Sequence, residues 1–191
     1  MSAKILAFAG ALRVGSFNKK LVHIAANAAR KAGAEVTVID LRDFPLPIFD
    51  EDLESSDGLP PNRRKLKDLF LAHDGLLLSC PEYNSSITAV LKNTIDWVSR
   101  PCEGEKPLGC FDGKVAAIIA ASPGALGGLR GLVTVRSILS NIKVIVLPDQ
   151  IAIVKAHEAF NSDGSLKDPK QLAAVESIAT RLVHVTNKLK G

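Results

Sequence analysis

Short apolar runs alternate along the chain with longer stretches in which apolar residues recur every three or four positions. In the first such stretch Leu21, Ile24 and Ala28 fall on one helical face, and Lys20 and Asn27 fall on the other. This alternation predicts a strand followed by a helix, repeated five times. The predicted strands are 5–9, 35–39, 75–79, 115–120 and 144–147, with 151–154 as a candidate extension, and the later helices are 62–72, 88–98, 129–139 and 169–188.

The same alternation predicts how the strands are arranged. Continuous apolar strands joined by helices indicate a parallel sheet with helices on both faces. We therefore predict a single α/β domain over residues 1–191, with a doubly wound five-stranded sheet whose strand order is 2-1-3-4-5, one common solution. In that topology a ligand lies at the carboxyl ends of the strands. The loops 10–18, 80–86 and 122–128 are predicted to converge there.

The loop 10–18 joins the first strand to the first helix and has the composition of an anion site. Backbone N–H groups of such a loop and of the first helical turn surround one point, and the helix N-terminus favours negative charge. Ser16 can cap the helix and offer a hydroxyl to a ligand, and Arg13 adds a positive charge. Glu35 is the first acidic residue of the chain. We predict a phosphate cradle; the alternative is an ordinary turn with a serine cap.

Two familiar phosphate-binding patterns do not fit this loop. A P-loop needs lysine and then serine or threonine after its second glycine, but Gly15 is followed by Ser16 and Phe17. A dinucleotide fingerprint needs glycine, any residue and glycine, but Leu12 replaces the second glycine. A single terminal phosphate monoester, such as that of FMN, remains as the ligand that this loop suits.

The other two loops offer backbone groups rather than reactive side chains. In the segment 81–84, N–H and C=O groups can bond the polar edge of a flat heterocycle, and Tyr83 can pack beside it. Near Ser122, the residue Gly124 allows close approach to a ligand because glycine has no Cβ. The alternatives are a surface turn with a half-buried tyrosine and a flexible loop.

Charge and composition exclude several classes of protein. The net charge is +4, and the basic residues are scattered rather than interleaved with aromatics, so no nucleic-acid partner is expected. Three cysteines without a C-x-x-C pair favour a reducing compartment and no structural disulfide or metal site. No apolar run reaches the length of a membrane span. We therefore predict a cytoplasmic protein without a membrane partner, and we interpret Cys80 as a packing residue.

Three segments, 10–18, 81–84 and 91–97, together resemble the NADPH-dependent FMN reductase family. This flavodoxin-like group includes bacterial chromate and quinone reductases. The segments occur in the expected order, and the resemblance extends over nearly the whole chain. It implies a flavodoxin-like fold, FMN as cofactor, and NADPH or NADH as hydride donor.

The resemblance also implies which residues hold the cofactor. The phosphate is expected on Arg13, Ser16 and Asn18, and the ring edge on 81–84. The full predicted set is Ala11, Arg13, Ser16, Phe17, Asn18, Pro81, Glu82, Tyr83, Asn84, Ser122 and Gly124. Relatives often carry serine at Ala11 and a second tyrosine at Ser85, so this chain departs from the family pattern at both positions. No catalytic side chain and no metal are expected, because the flavin performs the chemistry.

The family further implies small-molecule electron acceptors and a homodimer or homotetramer, with Arg130 and Asp149 as candidates for pairing across subunits. The acceptors could be quinones, free flavin, azo compounds, ferric complexes or metal oxyanions such as chromate. The alternative function is that of a flavodoxin-type electron carrier without NAD(P)H turnover. Such carriers usually sandwich the ring between aromatics and are acidic, whereas this chain is basic and has one Tyr and one Trp.

Overall fold

The computed structural model describes residues 2–57, 59–102 and 104–190, so the ends of the predicted 1–191 domain, Met1 and Gly191, lie outside the described residues. The strands are β1 (Lys4–Ala9), β2 (Glu35–Ile39), β3 (Gly75–Ser79), β4 (Glu82–Tyr83), β5 (Ser86–Ile87), β6 (Val115–Ala121) and β7 (Ile145–Ile153). The helices are α1 (Phe17–Lys31), α2 (Glu51–Asp57), α3 (Pro61–Ala72), α4 (Ala89–Ser99), α5 (Leu129–Asn141), α6 (Ala156–Ala159) and α7 (Pro169–Lys190).

Five parallel strands form one sheet in the order β2-β1-β3-β6-β7. Counted along the chain, this is the order 2-1-3-4-5, so the predicted flavodoxin-like topology is confirmed. The direction of winding reverses at β1 and β3. The carboxyl ends of these two strands therefore form the crevice in which such folds bind ligands.

Helices cover both faces of the sheet, as predicted. Alternate residues of each strand point to opposite faces. In β1, Ile5 and Ala7 pack with α1 and α7, whereas Leu6 and Phe8 pack with α3, α4 and α5. Two hydrophobic layers thus hold the central strands rigidly, and the loops at their ends are carried on a fixed frame.

Two segments differ from the sequence prediction. The last strand continues through Pro148, where its pairing with β6 shifts register, and the proline is tolerated because β7 is an edge strand. The long connection after β2 contains the short helix α2.

The predicted loop 80–86 also contains a hairpin, in which β4 and β5 pair antiparallel. Its turn residues Asn84 and Ser85 have φ of 50° and 67°. Positive φ at both central positions is the mark of a type I′ turn, which matches the twist of the flanking strands.

Candidate functional site

The loops after β1, β3 and β6 meet around one cavity of about 110 Å³ at the carboxyl edge of the sheet. Its lining residues are Ala11, Arg13, Ser16, Phe17, Asn18, Pro81, Glu82, Tyr83, Ala121, Ser122 and Pro123. Of the predicted cofactor-binding residues, only Asn84 and Gly124 do not line it. Ala121 and Pro123 line the cavity but were not predicted, although both flank Ser122.

One end of the cavity is formed by the N-terminus of α1. Ser16 precedes the helix, is buried, and makes no capping hydrogen bond with its side chain. Within the described chain, no group accepts a hydrogen bond from the backbone N–H of Phe17 or Asn18. The first turn of α1 holds no acidic residue. A hydroxyl and two N–H groups are therefore open to an anion at the positive end of the helix.

Arg13 supplies the positive charge next to these donors. Its guanidinium lies over the ring of Phe17, 5.5 Å from the centroid. Phe17 in turn stacks on Phe160, with centroids 5.8 Å apart and planes inclined by 13°. Lys20 Nζ lies over the ring of Phe160, 5.9 Å from its centroid. This column of two cations and two rings holds Arg13 beside the helix N-terminus, and no carboxylate among the described residues forms an ion pair with it.

Asn18 has a different role from the predicted phosphate contact. Its Nδ2 donates to the carbonyl oxygen of Ala121 at 2.7 Å, and its Oδ1 accepts from Ala121 N–H and from the Ser79 hydroxyl. The carboxamide therefore links α1 to the ends of β3 and β6. The backbone N–H of Asn18 is the group that it leaves open to a ligand.

Charges behind the cradle are neutralised within the protein. Lys19 forms an ion pair with Asp40 at 2.5 Å, and Asp40 also accepts a hydrogen bond from Arg42 N–H. Burial acts to raise the pKa of Asp40, but the hydrogen bonds from Lys19 and Arg42 and their charges hold that pKa below its ordinary value. Lys19 and Arg42 also donate to the carbonyl oxygen of Leu12. The loop 10–18 is thereby tied to the end of β2.

The start of α4 ties the second loop to the first. The Thr88 hydroxyl donates to the carbonyl oxygen of Gly10 at 2.7 Å and accepts from Leu91 N–H at 3.3 Å. A Cβ at Gly10 would lie 3.0 Å from Leu91 Cβ, so α4 packs closely against the glycine. The two loops that flank the switch point are therefore held in one arrangement.

The segment 81–84 forms the opposite wall of the cavity. Pro81 is buried, whereas Tyr83 is 60% exposed at the rim. The carboxylate of Glu82 accepts hydrogen bonds from Arg130 Nε at 2.9 Å and Nη2 at 2.5 Å. Burial acts to raise the pKa of Glu82, but hydrogen bonds from Arg130 and Gly131 keep that pKa below its ordinary value.

The third loop and the strand ends complete the site. The Ser122 hydroxyl accepts from Gly124 N–H at 3.2 Å, and its carbonyl oxygen accepts from Ala156 N–H. Cys80 is fully buried beside Pro81, and burial raises its pKa to about 12, which agrees with a packing role.

Asp149 lies 2.8 Å from Arg181 of the same chain, so it and Arg130 both have partners within one subunit.

Among residues 2–57, 59–102 and 104–190, no cluster of His, Cys, Asp or Glu side chains could hold a metal. No helix in the described part of the chain is long and apolar enough to cross a membrane.

The donor set at the N-terminus of α1 is suited to a phosphate monoester: a guanidinium, a hydroxyl and two free N–H groups. The cavity of about 110 Å³ is small for a whole FMN. A flavin ring would therefore extend over the open rim at Tyr83.

Comparisons with known proteins find relatives that match nearly the whole chain. The sequence profile described as NADPH-dependent FMN reductase matches residues 3–158. An NAD(P)H-dependent FMN reductase of Pseudomonas aeruginosa is 34% identical over 189 residues, which cover 98% of this chain and 97% of that protein. A probable NADPH:quinone oxidoreductase of Oryza sativa subsp. japonica is 32% identical over 193 residues, which cover 98% of this chain and 91% of that protein.

A solved structure shows the same architecture. The flavoenzyme NAD(P)H:(acceptor) oxidoreductase of Paracoccus denitrificans superposes with a TM-score of 0.81 and is 28% identical. The superposition covers 97% of this chain and 98% of that one. The similarity therefore extends over the whole fold, including the strands whose loops form the cavity.

Proposed function

Because this chain belongs to the NADPH-dependent FMN reductase family and is an FMN-dependent NAD(P)H oxidoreductase, we propose that it uses the hydride donor to reduce small quinone-type acceptors. The observation that carries the proposal is the convergence of Arg13, Ser16 and the free N–H groups of α1 with the segment 81–84 around one cavity. A phosphate site and a ring-edge site on one cavity suit a flavin mononucleotide.

We assign the phosphate to the α1 end of the cavity. Arg13 would neutralise its charge, the Ser16 hydroxyl would bond one oxygen, and the N–H groups of Phe17 and Asn18 would bond the others. The ribityl chain would pass Ser122, and the ring edge would meet backbone groups of 81–84. Ala11 cannot supply the hydroxyl that many relatives have there, so the site relies on Arg13 and Ser16.

When bound, FMN supplies the chemistry of hydride and electron transfer, and the protein binds the flavin, orients it and tunes its reactivity. Tyr83 is the aromatic side chain that lines the cavity besides Phe17, and Phe17 is engaged in its stack with Phe160. Among the described residues that line the cavity, Tyr83 is thus the one aromatic side chain left free to pack on a ring, whereas an electron carrier usually encloses the ring between two aromatics. An open face suits stacking of nicotinamide and then of a flat acceptor at the same place.

The acceptor class follows from the openness of the rim and from the relatives. Tyr83 is exposed, and apolar Val14 and Leu126 nearby in the same loops are exposed as well. A flat apolar quinone would pack on such a surface. The rice relative is named as a quinone oxidoreductase, which supports this class. Free flavin, azo compounds, ferric complexes and chromate are further candidates.

We further propose that the protein is a single FMN-binding domain that acts in the cytoplasm as a homodimer or homotetramer. The exposed apolar residues Leu129 and Val133 on α5 offer a surface for a second copy. Light scattering at micromolar concentration tests the assembly, and a monomer there would contradict it.

The decisive experiment is NAD(P)H oxidation by the purified holoprotein with and without a quinone. We expect a flavin absorption spectrum and rapid NAD(P)H oxidation that depends on added quinone. A bound flavin that NAD(P)H cannot reduce would identify an electron carrier instead. Parallel assays with chromate, an azo dye and free FMN rank the acceptors by kcat/KM, and a preference for any of these over quinones would overturn the acceptor assignment.

A further inference from the structure

We propose that Glu82 and Arg130 act as a charge-balanced pair that keeps the ring-edge wall close to neutral, so that loss of either charge shifts the reduction potential of the bound flavin, with Glu82 as a positioning residue and not a cofactor ligand. The proposal rests on the proposed function, because it places the flavin ring at the wall that Glu82 helps to form. Glu82 was predicted to bind the cofactor, and its hydrogen bonds indicate this different task.

The carboxylate of Glu82 is completely engaged by one short segment of α5. Oε1 accepts from Nε and Nη2 of Arg130, and Oε2 accepts from the backbone N–H groups of Arg130 and Gly131 at 3.0 and 3.3 Å. The Glu82 side chain is 9% exposed, while that of Arg130 is 57% exposed. Glu82, which lies 48 positions before Arg130 in the sequence, thus accepts four hydrogen bonds from two adjacent residues of α5.

These contacts make Glu82 the N-terminal cap of α5. A helix is usually capped by a side chain just before it, which accepts from the second or third N–H. The residue in that position is Gly128, which has no side chain to accept with. The second and third N–H groups of α5, those of Arg130 and Gly131, bond Glu82 instead. The ring-edge hairpin is therefore docked onto the positive end of a helix.

Close packing leaves no room for a different arrangement. A Cβ at Gly131 would lie 3.3 Å from the carbonyl oxygen of Ser86 and 3.4 Å from the Cα of Glu82. The hairpin backbone therefore rests directly on the first turn of α5. The hairpin and the first turn of α5 are therefore in close contact where the Glu82–Arg130 pair joins them.

The consequence for the flavin is electrostatic. Arg130 and the positive end of α5 would stabilise the negative charge that reduction adds to the ring, whereas Glu82 opposes them. In the intact pair the two effects largely cancel. Other charged side chains near the cavity are Arg13 and Lys20, toward the phosphate end, and Arg42 and the Lys19–Asp40 ion pair, behind the loop 10–18. The pair is thus the charged element of the ring-edge wall.

The test compares Glu82→Gln, Arg130→Gln and the double variant, all as FMN-loaded protein. The midpoint potential of the flavin is measured by dye-coupled redox titration, and the affinities for oxidised and reduced FMN by fluorescence. Glu82→Gln leaves a positive charge and should raise the potential; Arg130→Gln leaves a negative charge and should lower it. Each change corresponds to about a three- to tenfold shift in the ratio of the two affinities. The double variant should return close to the wild-type value.

A merely structural pair would give a different result. Loosening of the hairpin should move both single variants in the same direction and the double variant furthest, and that outcome, or unchanged potentials, would overturn the proposal. The matched control is the exposed pair Lys92–Asp96 on α4, where Lys92→Gln and Asp96→Asn should leave the potential unchanged. If Glu82→Gln does not fold, the midpoint potentials of Arg130→Gln and Arg130→Lys are compared instead. This comparison tests the proposal because only Arg130→Gln removes the positive charge. A wild-type protein that binds no FMN would overturn the proposed function and this inference together.

Discussion

The side chain of Asn18 pairs with both backbone groups of Ala121, donating to its carbonyl oxygen at 2.7 Å and accepting from its N–H at 3.0 Å. Both residues are buried, and Ser79 adds a third hydrogen bond to the same amide. The phosphate end of the cavity is therefore anchored to the ends of two strands. Asn18 therefore stabilises the frame that carries the proposed phosphate site.

Replacing Asn18 by alanine should destabilise the protein by about 2–4 kcal/mol, because it leaves the buried N–H and C=O of Ala121 without partners. Urea-induced unfolding of the FMN-free protein measures this. Asn27→Ala is the matched control on the same helix, since Asn27 is exposed, and it should change the free energy of unfolding by about 0.5 kcal/mol or less. Equal effects of the two substitutions would contradict the anchoring role.

Removing the guanidinium of Arg13 should weaken FMN binding at least tenfold, because a charge-assisted contact contributes about 1.5–3 kcal/mol. Arg13 is exposed, so the fold should remain intact. Fluorescence titration of the FMN-free Arg13→Ala protein measures the affinity, with Arg30→Ala at the far end of α1 as control. Unchanged affinity would show that the cradle is not the phosphate site.

Two changes in the segment 81–84 should have unequal effects. Tyr83→Phe should keep the flavin and most NADPH:quinone activity, because the exposed ring serves as a wall and its hydroxyl contributes little. Pro81→Gly should lower the flavin midpoint potential, because a freer backbone weakens N–H donors that stabilise negative charge in the ring. Steady-state rates and a redox titration compare the two. Wild-type values for Pro81→Gly would remove this segment from the mechanism.

Acid should weaken the contacts that hold Glu105, in the segment after α4, to Lys67 and Arg64 of α3. Hydrogen bonds from Lys67 and Cys102 N–H, with a further one from Arg64, lower the pKa of Glu105 to about 2 from an ordinary 4.5. A carboxyl whose pKa is lowered by folding stabilises the protein above its ordinary pKa, and this contribution is lost as pH falls toward the folded value. Glu105→Gln should therefore cost about 1 kcal/mol at neutral pH, limited by solvent screening.

Denaturant unfolding at neutral pH, near pH 4 and near pH 2.5 tests this. The difference between wild type and Glu105→Gln should narrow steadily over that range. Glu176→Gln serves as the control, because the contact of Glu176 with Lys31 is long, at 3.9 Å, and exposed. A difference between wild type and Glu105→Gln that does not change with pH would show that the ion pair is not responsible.

The strands could be predicted because the sheet buries them on both faces. All five residues of β3 are buried, so its apolar run ends where the strand ends. β7 was harder to predict, because Pro148 reads as a strand breaker. The predicted strand order places this strand at an edge, where a proline is allowed, but the local pattern does not show that the strand continues past Pro148.

The site could be predicted in place but not in detail. The local pattern locates the strand ends, and the predicted topology brings together the three loops that follow them. The partners of Asn18 and Glu82 could not be predicted, because they lie 103 and 48 positions away and no local pattern connects them. Both side chains are of types that bind ligands, and long-range packing gives both of them structural partners. The turn at Asn84 and Ser85 was missed because the strands it joins have two residues each.

The burial of Cys80 protects its thiol from reaction with a quinone acceptor. Quinones are electrophiles, and a thiolate beside them would be consumed by addition to the ring. Because burial raises its pKa to about 12, Cys80 stays in the thiol form at neutral pH. The thiol is therefore chemically silent at a strand end where a reactive one would be arylated, and the folded protein should survive long exposure to quinone without loss of this residue, as mass spectrometry of quinone-treated protein can show.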